Sequence, residues 1–289
     1  MNKLRGTGVA LVTPFDENEN IDFDGLRNLL DHTAKGVDYF VVQGTTGESV
    51  TTTNQEKREI LEFVIRNNSK TLPIVYGIGG NNTKNVLETI QGTNFSGVDA
   101  ILSVSPYYNK PSQEGIITHF TKIADISPVP VILYNVPGRT SSNLTAVTTL
   151  ELSKHPNIMG IKEASGNVEQ AMMITSNTPD DFLVISGDDM LTVPLMSIGV
   201  VGVISVLANA FPVIFKNMVH GALEGNYETA TKEASKLLKI NPLMYEESNP
   251  VGIKEVLRQM NICRNNCRLP LLPASSDLSQ RIANELRNI

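Results

Sequence analysis

The stretch Tyr39-Phe40-Val41-Val42-Gln43-Gly44-Thr45-Thr46-Gly47-Glu48 is an apolar run that ends in a turn with two glycines. A helical pattern over Asn54–Asn67 follows, and Thr53 with Glu56 gives the signature of a capping box at its start. A β-branched run over residues 73–78 comes next. These segments predict a strand, a crossover helix and a second strand parallel to the first.

The same alternation of short β-branched runs and amphipathic helical segments continues to about residue 220. It predicts an α/β fold with eight parallel strands, which is a (β/α)8 TIM barrel over residues 1–223. The later segments predict a C-terminal helical extension over residues 224–289. The predicted strands cover residues 8–12, 39–43, 73–78, 100–104, 131–134, 158–162, 182–186 and 200–205. Further helices are predicted over residues 83–93, 212–223, 227–240, 251–260 and 277–289.

A doubly wound open sheet would show the same alternation of strands and helices. It would place a glycine-rich phosphate loop after its first strand. Here that position is Thr13-Pro14-Phe15. The later segment Gly77-Ile78-Gly79-Gly80 lacks the Gly-x-Gly-x-x-Gly spacing and a following Lys-Ser/Thr, so it predicts a turn. The barrel is therefore favoured.

Composition excludes several kinds of partner and location. The 289 residues carry a formal net charge of -6 without a Lys/Arg cluster, which disfavours binding to nucleic acid or to an anionic membrane. The apolar run over residues 8–12 is too short for a signal peptide, and the one over residues 200–215 is too short to span a bilayer. We therefore expect a cytoplasmic protein. Cys263 and Cys267 are expected to be free thiols.

Lys162, in Asn157-Ile158-Met159-Gly160-Ile161-Lys162-Glu163-Ala164, is the lysine that the pattern places in an apolar strand. Burial favours the neutral amine, which is a nucleophile toward ketones, so the position predicts Schiff-base chemistry. The alternative is a structural strand lysine paired with a carboxylate. Glu163 is not expected to be that partner because neighbouring side chains alternate faces along a strand.

The remaining lysines are weaker candidates for the nucleophile. Lys254 ranks second, since Ile253-Lys254-Glu255 resembles the local triplet around Lys162. It follows Asn249-Pro250 in a helix-start pattern, however, and not in a strand. The others lie in polar helical segments, where solvated ends are usual. They are Lys35, Lys57, Lys84, Lys122, Lys216, Lys232, Lys236 and Lys239.

Reactive side chains also follow the carboxyl ends of several predicted strands, where barrel active sites lie. Tyr134 ends the fifth strand and can relay protons during imine formation, or it can be a buried aromatic whose hydroxyl finds a partner. Tyr107 and Tyr108 follow the fourth strand. Gly187 follows the seventh strand, either as a turn glycine or to let a small substrate approach the backbone.

Two segments suggest anion binding. The glycines of Gly44-Thr45-Thr46-Gly47-Glu48 let backbone N–H groups converge on a carboxylate, with the threonine hydroxyls as further donors. The same segment can also be a plain turn between strand and helix. Arg139, in Tyr134-Asn135-Val136-Pro137-Gly138-Arg139-Thr140, is either a surface arginine or a bidentate clamp for the carboxylate of a second substrate.

Metal chemistry is not indicated by the sequence. Asp188 and Asp189 are expected to cap a helix, as acidic residues at helix starts usually do. The histidines are scattered without the spacing of metal ligands, so an amine-based aldolase without metal or cofactor is preferred. These histidines are His32, His119, His155 and His220.

The motifs Gly44-Thr45-Thr46-Gly47-Glu48, Tyr107-Tyr108-Asn109-Lys110-Pro111, Tyr134 to Thr140 and Gly160-Ile161-Lys162-Glu163-Ala164 together resemble the dihydrodipicolinate synthase family. The resemblance covers essentially the whole chain. It implies condensation of pyruvate with L-aspartate 4-semialdehyde to 4-hydroxy-tetrahydrodipicolinate, the first committed step of diaminopimelate and lysine biosynthesis. Related lyases for sialic acid or other sugar acids usually lack the arginine loop, so Arg139 favours the synthase. A barrel that only senses keto acids is the remaining alternative.

The resemblance also implies roles for individual residues. It makes Lys162 the imine-forming lysine and Tyr134 the proton shuttle, with Thr45 and Tyr108 completing the relay. Tyr108 would reach into a neighbouring subunit's site, which implies a dimer unit and commonly a homotetramer. Substrate contacts are expected from Thr46, Arg139, Gly187 and Ile204.

Lysine-sensitive members of the family have an effector site that Ser49, Asn81 and Tyr107 match. They typically place a histidine and a glutamate where this chain has Lys57 and Asn85. Without the acidic group the ammonium of the effector loses its charge partner, and Lys57 adds a like charge. We expect L-lysine to leave the enzyme active.

Overall fold

The computed structural model describes residues 3–289. Within them eight parallel strands form a closed barrel, in which each strand bonds to the next and the last bonds to the first. This confirms the predicted (β/α)8 TIM barrel. The strands are β1 (Gly6–Ala10), β2 (Tyr39–Val42), β3 (Ile74–Gly77), β4 (Ala100–Val104), β5 (Val131–Asn135), β6 (Ile158–Glu163), β7 (Leu183–Ser186) and β8 (Gly202–Ser205).

Helices separate the strands and continue after the last one. They are α1 (Phe23–Thr33), α2 (Asn54–Asn67), α3 (Thr83–Gln91), α4 (Gln113–Ile126), α5 (Pro137–Thr140), α6 (Ala146–Leu152), α7 (Val168–Asn177), α8 (Thr192–Met196), α9 (Pro212–Leu223), α10 (Tyr227–Ser235), α11 (Val251–Gln259) and α12 (Ser276–Leu286). Short 3-10 turns occur at Thr45–Gly47, Leu207–Asn209 and Asn241–Met244.

The capping box predicted for α2 is confirmed. The Glu56 backbone N–H donates to Thr53 Oγ1 at 3.2 Å, and the Thr53 N–H donates to Glu56 Oε2 at 2.7 Å. Both donors would otherwise lack an intrahelical partner. The box therefore fixes where the helix begins after the loop that follows β2.

Several elements differ by a few residues from the predicted bounds, and the differences at β1 and α10 have a structural reason. Strand β1 begins at Gly6 and not at residue 8, because Gly6 and Thr7 pair with Gly202 and Val203 of β8 where the barrel closes. Helix α10 ends at Ser235, and turns lead from it into the 3-10 segment that contains Pro242. At Lys236 and Leu237 the backbone N–H groups bond to carbonyls three residues back, as Leu237 does to Ala234, so the regular α-helix does not continue to residue 240.

The core has two layers, which place alternate side chains of each strand in different surroundings. One apolar cluster fills the barrel interior and includes Tyr134, Ile185 and Ile204. The other lies between the strands and the helices and includes Ile161. Because Ile161 faces the helices, its neighbour Lys162 faces the interior.

The C-terminal helices contact one another and the barrel. Helix α11 packs against α12 and reaches the 3-10 turn Leu207–Asn209, which directly follows the last strand of the barrel. The division of the chain into residues 1–223 and 224–289 stays a prediction. Among the described residues, no helix combines the length and the apolar character needed to cross a membrane.

Candidate active site

Lys162 lies at the carboxyl end of β6 with only 6% of its surface exposed. It is the register partner of Tyr134 on β5, and its Nζ atom lies 4.4 Å from the centroid of the Tyr134 ring. Glu163 points to the opposite face, where its carboxylate accepts from Asn135 Nδ2 at 3.0 Å and from Gln170 Nε2 at 2.9 Å. The structure thus separates Lys162 from the adjacent carboxylate, as the strand alternation predicts.

Gly187 provides the space that the Lys162 side chain occupies. A Cβ atom at this position would lie 3.0 Å from Lys162 Cε and 2.5 Å from the Ala164 Cβ atom. Gly187 comes directly after β7, whose Ser186 pairs with Val203 of β8. Ile204 is buried on β8 in the same interior cluster as Tyr134. The structure therefore gathers these predicted substrate contacts at one end of the barrel.

The loop after β2 forms a short 3-10 turn over Thr45–Gly47. Thr46 is buried, and its Oγ1 accepts a hydrogen bond from Asn249 Nδ2 at 3.0 Å. The Gly47 carbonyl accepts from Thr13 Oγ1 at 2.6 Å. The turn is therefore held from both the barrel and the C-terminal region, as a binding loop requires.

A cavity of about 430 Å³ opens beside this loop. Thr45, Tyr134 and Arg139 contribute to its wall. So do all five residues considered for the effector site, which are Ser49, Lys57, Asn81, Asn85 and Tyr107. Lys162, Thr46, Gly187 and Ile204 are not among the described residues that line it. The cavity thus borders Thr45 and Tyr134 as well as the effector-site candidates.

Arg139 lies on the short helix α5, which begins with Pro137 directly after the loop that follows β5. Its side chain is exposed at the cavity wall. Within residues 3–289, no carboxylate forms a salt bridge with its guanidinium group. The group is available to an anionic ligand in the cavity.

Tyr108 and Tyr107 differ in their surroundings. Tyr108 is 89% exposed, has a positive φ of 72°, and is not part of the cavity wall among the described residues. Tyr107 lines the cavity, and its carbonyl accepts from Asn81 Nδ2 at 3.2 Å. A single chain therefore does not bring Tyr108 to Lys162.

The capping expected of Asp188 and Asp189 is wrong for α8. That helix begins at Thr192 after Leu191, which makes no side-chain capping bond. Asp188 instead accepts from the Met190 and Leu191 N–H groups in the preceding turn.

Asp189 binds a different part of the chain. Its Oδ2 atom accepts from the N–H groups of Val206 at 3.2 Å and Leu207 at 2.8 Å, after β8. Burial raises the pKa of the Asp189 carboxyl to about 6, although the Leu207 hydrogen bond and the nearby Lys162 oppose the shift. Asp189 is therefore a buried acid near the amine. Its place after a strand was visible in the sequence, but its long-range partners were not.

Lys254 is more deeply buried than its position at a helix start suggests. It is 0% exposed, and its Nζ atom forms an ion pair with Glu48 Oε1 at 2.5 Å. Glu48 belongs to the loop after β2, far away in the chain, so no local pattern announces the pair. Lys162 has no such carboxylate partner among the described residues, which keeps it the better nucleophile candidate.

The two cysteines are unpaired and buried. Burial raises the pKa of the Cys263 thiol to about 12 and that of Cys267 to about 11. Such thiols are poor nucleophiles.

In the part of the chain that the structure describes, no group of three or more His, Cys, Asp or Glu side chains is placed to hold a metal ion.

The sequence and the fold of the chain match a known group of proteins. The family model described as the dihydrodipicolinate synthetase family matches residues 3–289. The chain belongs to this family. It is 50% identical over 283 residues to the 4-hydroxy-tetrahydrodipicolinate synthase of Cytophaga hutchinsonii, an alignment that covers 98% of this chain and 95% of the relative.

Solved structures of the family have the same fold. The chloride-inhibited dihydrodipicolinate synthase of Acinetobacter baumannii in complex with pyruvate aligns with a TM-score of 0.95 at 35% identity, over 99% of this chain and 98% of that one. The lysine-bound enzyme of Cyanidioschyzon merolae also aligns with a TM-score of 0.95 at 35% identity, over 100% of this chain and 99% of that one.

Proposed function

We propose that this protein condenses pyruvate with L-aspartate 4-semialdehyde to give 4-hydroxy-tetrahydrodipicolinate in diaminopimelate and lysine biosynthesis. The observation that carries the proposal is the Lys162 amine, buried at the end of β6 and held over the Tyr134 ring, with no salt bridge to a carboxylate among the described residues. The name of the Cytophaga hutchinsonii relative supports the same activity.

Lys162 starts the reaction. Its amine attacks the carbonyl carbon of pyruvate, and loss of water from the carbinolamine leaves an imine. Loss of a methyl proton then gives the enamine, whose carbon attacks the aldehyde of the second substrate while the aldehyde oxygen takes up a proton. The amino group of that substrate then attacks the re-formed imine carbon, which closes the ring and expels the Lys162 amine. Tyr134, beside the amine, donates and accepts the protons of these steps, with Thr45 and Tyr108 extending the relay.

The two substrates are held by different parts of the site. The loop around Thr46 offers backbone N–H groups and a hydroxyl to the pyruvate carboxylate, while Gly187 and Ile204 shape the space around the reacting carbon. Arg139 binds the carboxylate of L-aspartate 4-semialdehyde from the cavity wall. The exposure of Arg139 and the burial of Thr46 support this division of roles.

The proposal is tested with the purified protein in two assays. One assay supplies pyruvate and L-aspartate 4-semialdehyde, and the other supplies N-acetylneuraminate. Turnover of L-aspartate 4-semialdehyde, with the heterocyclic product identified by mass spectrometry, is expected. Cleavage of N-acetylneuraminate in the parallel reaction is not. The reverse result would assign the chain to sugar-acid cleavage.

We further propose a cytoplasmic homotetramer whose sites are completed by Tyr108 of a neighbouring subunit. The exposure of Tyr108 supports this arrangement. A mixture of inactive Lys162→Ala and Tyr108→Ala chains, dissociated and reassembled, should regain activity, since a hybrid dimer contains one site with both residues. No recovery, although light scattering shows assembly, would place Tyr108 in its own subunit's site or in none.

We also propose that L-lysine does not regulate this enzyme. The cavity offers Ser49, Asn81 and Tyr107, but Lys57 and Asn85 stand where the ammonium of an effector would need an acidic partner. Lys57 is half-buried at the cavity wall, and this burial lowers the pKa of its ammonium group.

A further inference from the structure

The C-terminal region makes direct contacts to the loop that would bind pyruvate. Asn249 Nδ2 donates to Thr46 Oγ1 at 3.0 Å, and both side chains are buried. Because Thr46 Oγ1 accepts this bond, its own proton is left to be donated toward a carboxylate. Asn249 thus sets the direction in which Thr46 donates.

A buried ion pair holds the end of the same loop. Glu48 directly follows the 3-10 turn Thr45–Gly47 and has the left-handed backbone conformation, with a φ of 52°. A residue other than glycine keeps this conformation only where its surroundings hold it. Here Glu48 Oε1 lies 2.5 Å from Lys254 Nζ, and Oε2 accepts from the Arg268 N–H at 3.1 Å.

Lys254 is itself fixed by more than its carboxylate partner. Its ammonium also donates to the Asn266 carbonyl at 2.7 Å and lies 4.3 Å from the centroid of the Phe15 ring. The Arg268 guanidinium lies 4.4 Å from the same centroid and donates to the Thr51 carbonyl at 2.9 Å. These contacts of Lys254 and Arg268 therefore connect α11 and the segment after it to the loop that follows β2.

We propose that Asn249 and the Glu48–Lys254 ion pair are positioning residues that orient the Thr45–Thr46 loop toward the pyruvate carboxylate. Neither group touches the reacting carbon, so the effect passes through Thr46 and the loop backbone. The inference rests on the proposed function. It gives the C-terminal helices a role in substrate binding, in addition to their packing against the barrel.

The test compares two ketones in one assay. Pyruvate carries the carboxylate that the loop would hold, whereas methyl pyruvate carries the same ketone as a neutral ester. Each is incubated with the full-length protein, and the imine at Lys162 is trapped with borohydride and quantified by mass spectrometry. A loss confined to pyruvate reports on the loop, and a loss with both ketones reports on the fold or on Lys162.

Asn249→Ala, Asn249→Asp and Lys254→Met are the informative variants. We expect each to raise the KM for pyruvate by about ten- to a hundredfold, with methyl pyruvate trapped at close to the rate of the unsubstituted protein. Asn249→Asp should have the largest effect, because its carboxylate accepts the Thr46 proton and repels the substrate anion. Lys236→Met is the matched control, since it removes an ion pair of 2.6 Å to Glu233 at the end of α10.

Lys254→Met leaves a buried carboxylate without its partner, which can prevent folding. The double variant Glu48→Gln/Lys254→Met removes both charges and keeps an acceptor for the Arg268 N–H. If Lys254→Met does not fold, the double variant is measured in its place, and the same increase in the KM for pyruvate is expected. Equal loss with both ketones, or an unchanged KM for pyruvate, would overturn the inference. An unsubstituted protein that traps no pyruvate would overturn the proposed function itself.

Discussion

Lys162 and Tyr134 are register partners on neighbouring strands, and the Lys162 Nζ atom lies 4.4 Å from the centroid of the Tyr134 ring. The phenol is thus fixed beside the amine by the barrel itself. In a parallel barrel the side chains at these two strand ends face the same interior, so the proximity does not depend on a mobile loop.

Tyr134→Phe keeps the ring that covers the amine and removes only the hydroxyl. If that hydroxyl relays protons, kcat should fall by about 10²–10⁴-fold, the usual contribution of a positioned acid or base. Steady-state kinetics with both substrates measure the effect, and circular dichroism checks that the fold is kept. Turnover near that of the unsubstituted enzyme would show that the phenol only packs against Lys162.

Gly187→Ala tests the space around the nucleophile. The added Cβ atom would lie 3.0 Å from Lys162 Cε and 2.5 Å from Ala164 Cβ, so the backbone at Ala164, the Lys162 side chain or both must shift. We expect trapping of pyruvate by borohydride to slow by about tenfold or more. Gly138→Ala is the control, since an added Cβ there meets no atom within 4 Å. Equal trapping by the two variants would contradict the crowding argument.

Arg139→Ala separates the two substrates. The guanidinium lines the cavity and would contact only the aldehyde substrate, so kcat/KM for L-aspartate 4-semialdehyde should fall about 10²-fold while the rate of pyruvate trapping stays unchanged. Arg139→Lys keeps the charge but not the planar pair of donors and should recover only part of the loss. If imine formation fell in parallel, the assigned role would be wrong.

Millimolar L-lysine should leave turnover almost unchanged. The physical reason is that Lys57 and Asn85 both line the cavity, where they offer the effector a like charge and no carboxylate. Lys57→His/Asn85→Glu should bind L-lysine more tightly, as calorimetry would show, because it supplies the missing acidic partner. Half-inhibition of the unsubstituted enzyme below one millimolar would refute the account.

The sequence predicted the barrel because each strand and helix carries its own local pattern. The run that contains Lys162 is apolar and β-branched, and the face of Glu163 follows from alternation alone. The start of helix α2 was predicted because a capping box marks it. The bounds of β1 were missed because its first residues pair with β8, which no local pattern encodes.

Long-range polar contacts were not predictable from the sequence in the same way. Asp189 was expected to cap a helix but accepts bonds from Val206 and Leu207, and Lys254 lies in a helix yet pairs with Glu48 of the β2 loop. These contacts form only when the barrel closes and the C-terminal helices pack. Side-chain chemistry showed which residues were polar, but only the fold showed their partners.

The most direct measurement is the position of the covalent adduct. The protein is incubated with pyruvate, reduced with borohydride, digested and sequenced by mass spectrometry. The label is expected on Lys162, with none on Lys254, whose amine is more deeply buried but is held by Glu48. A label on Lys254 or on any lysine other than Lys162, or full turnover by Lys162→Ala, would contradict the proposed mechanism.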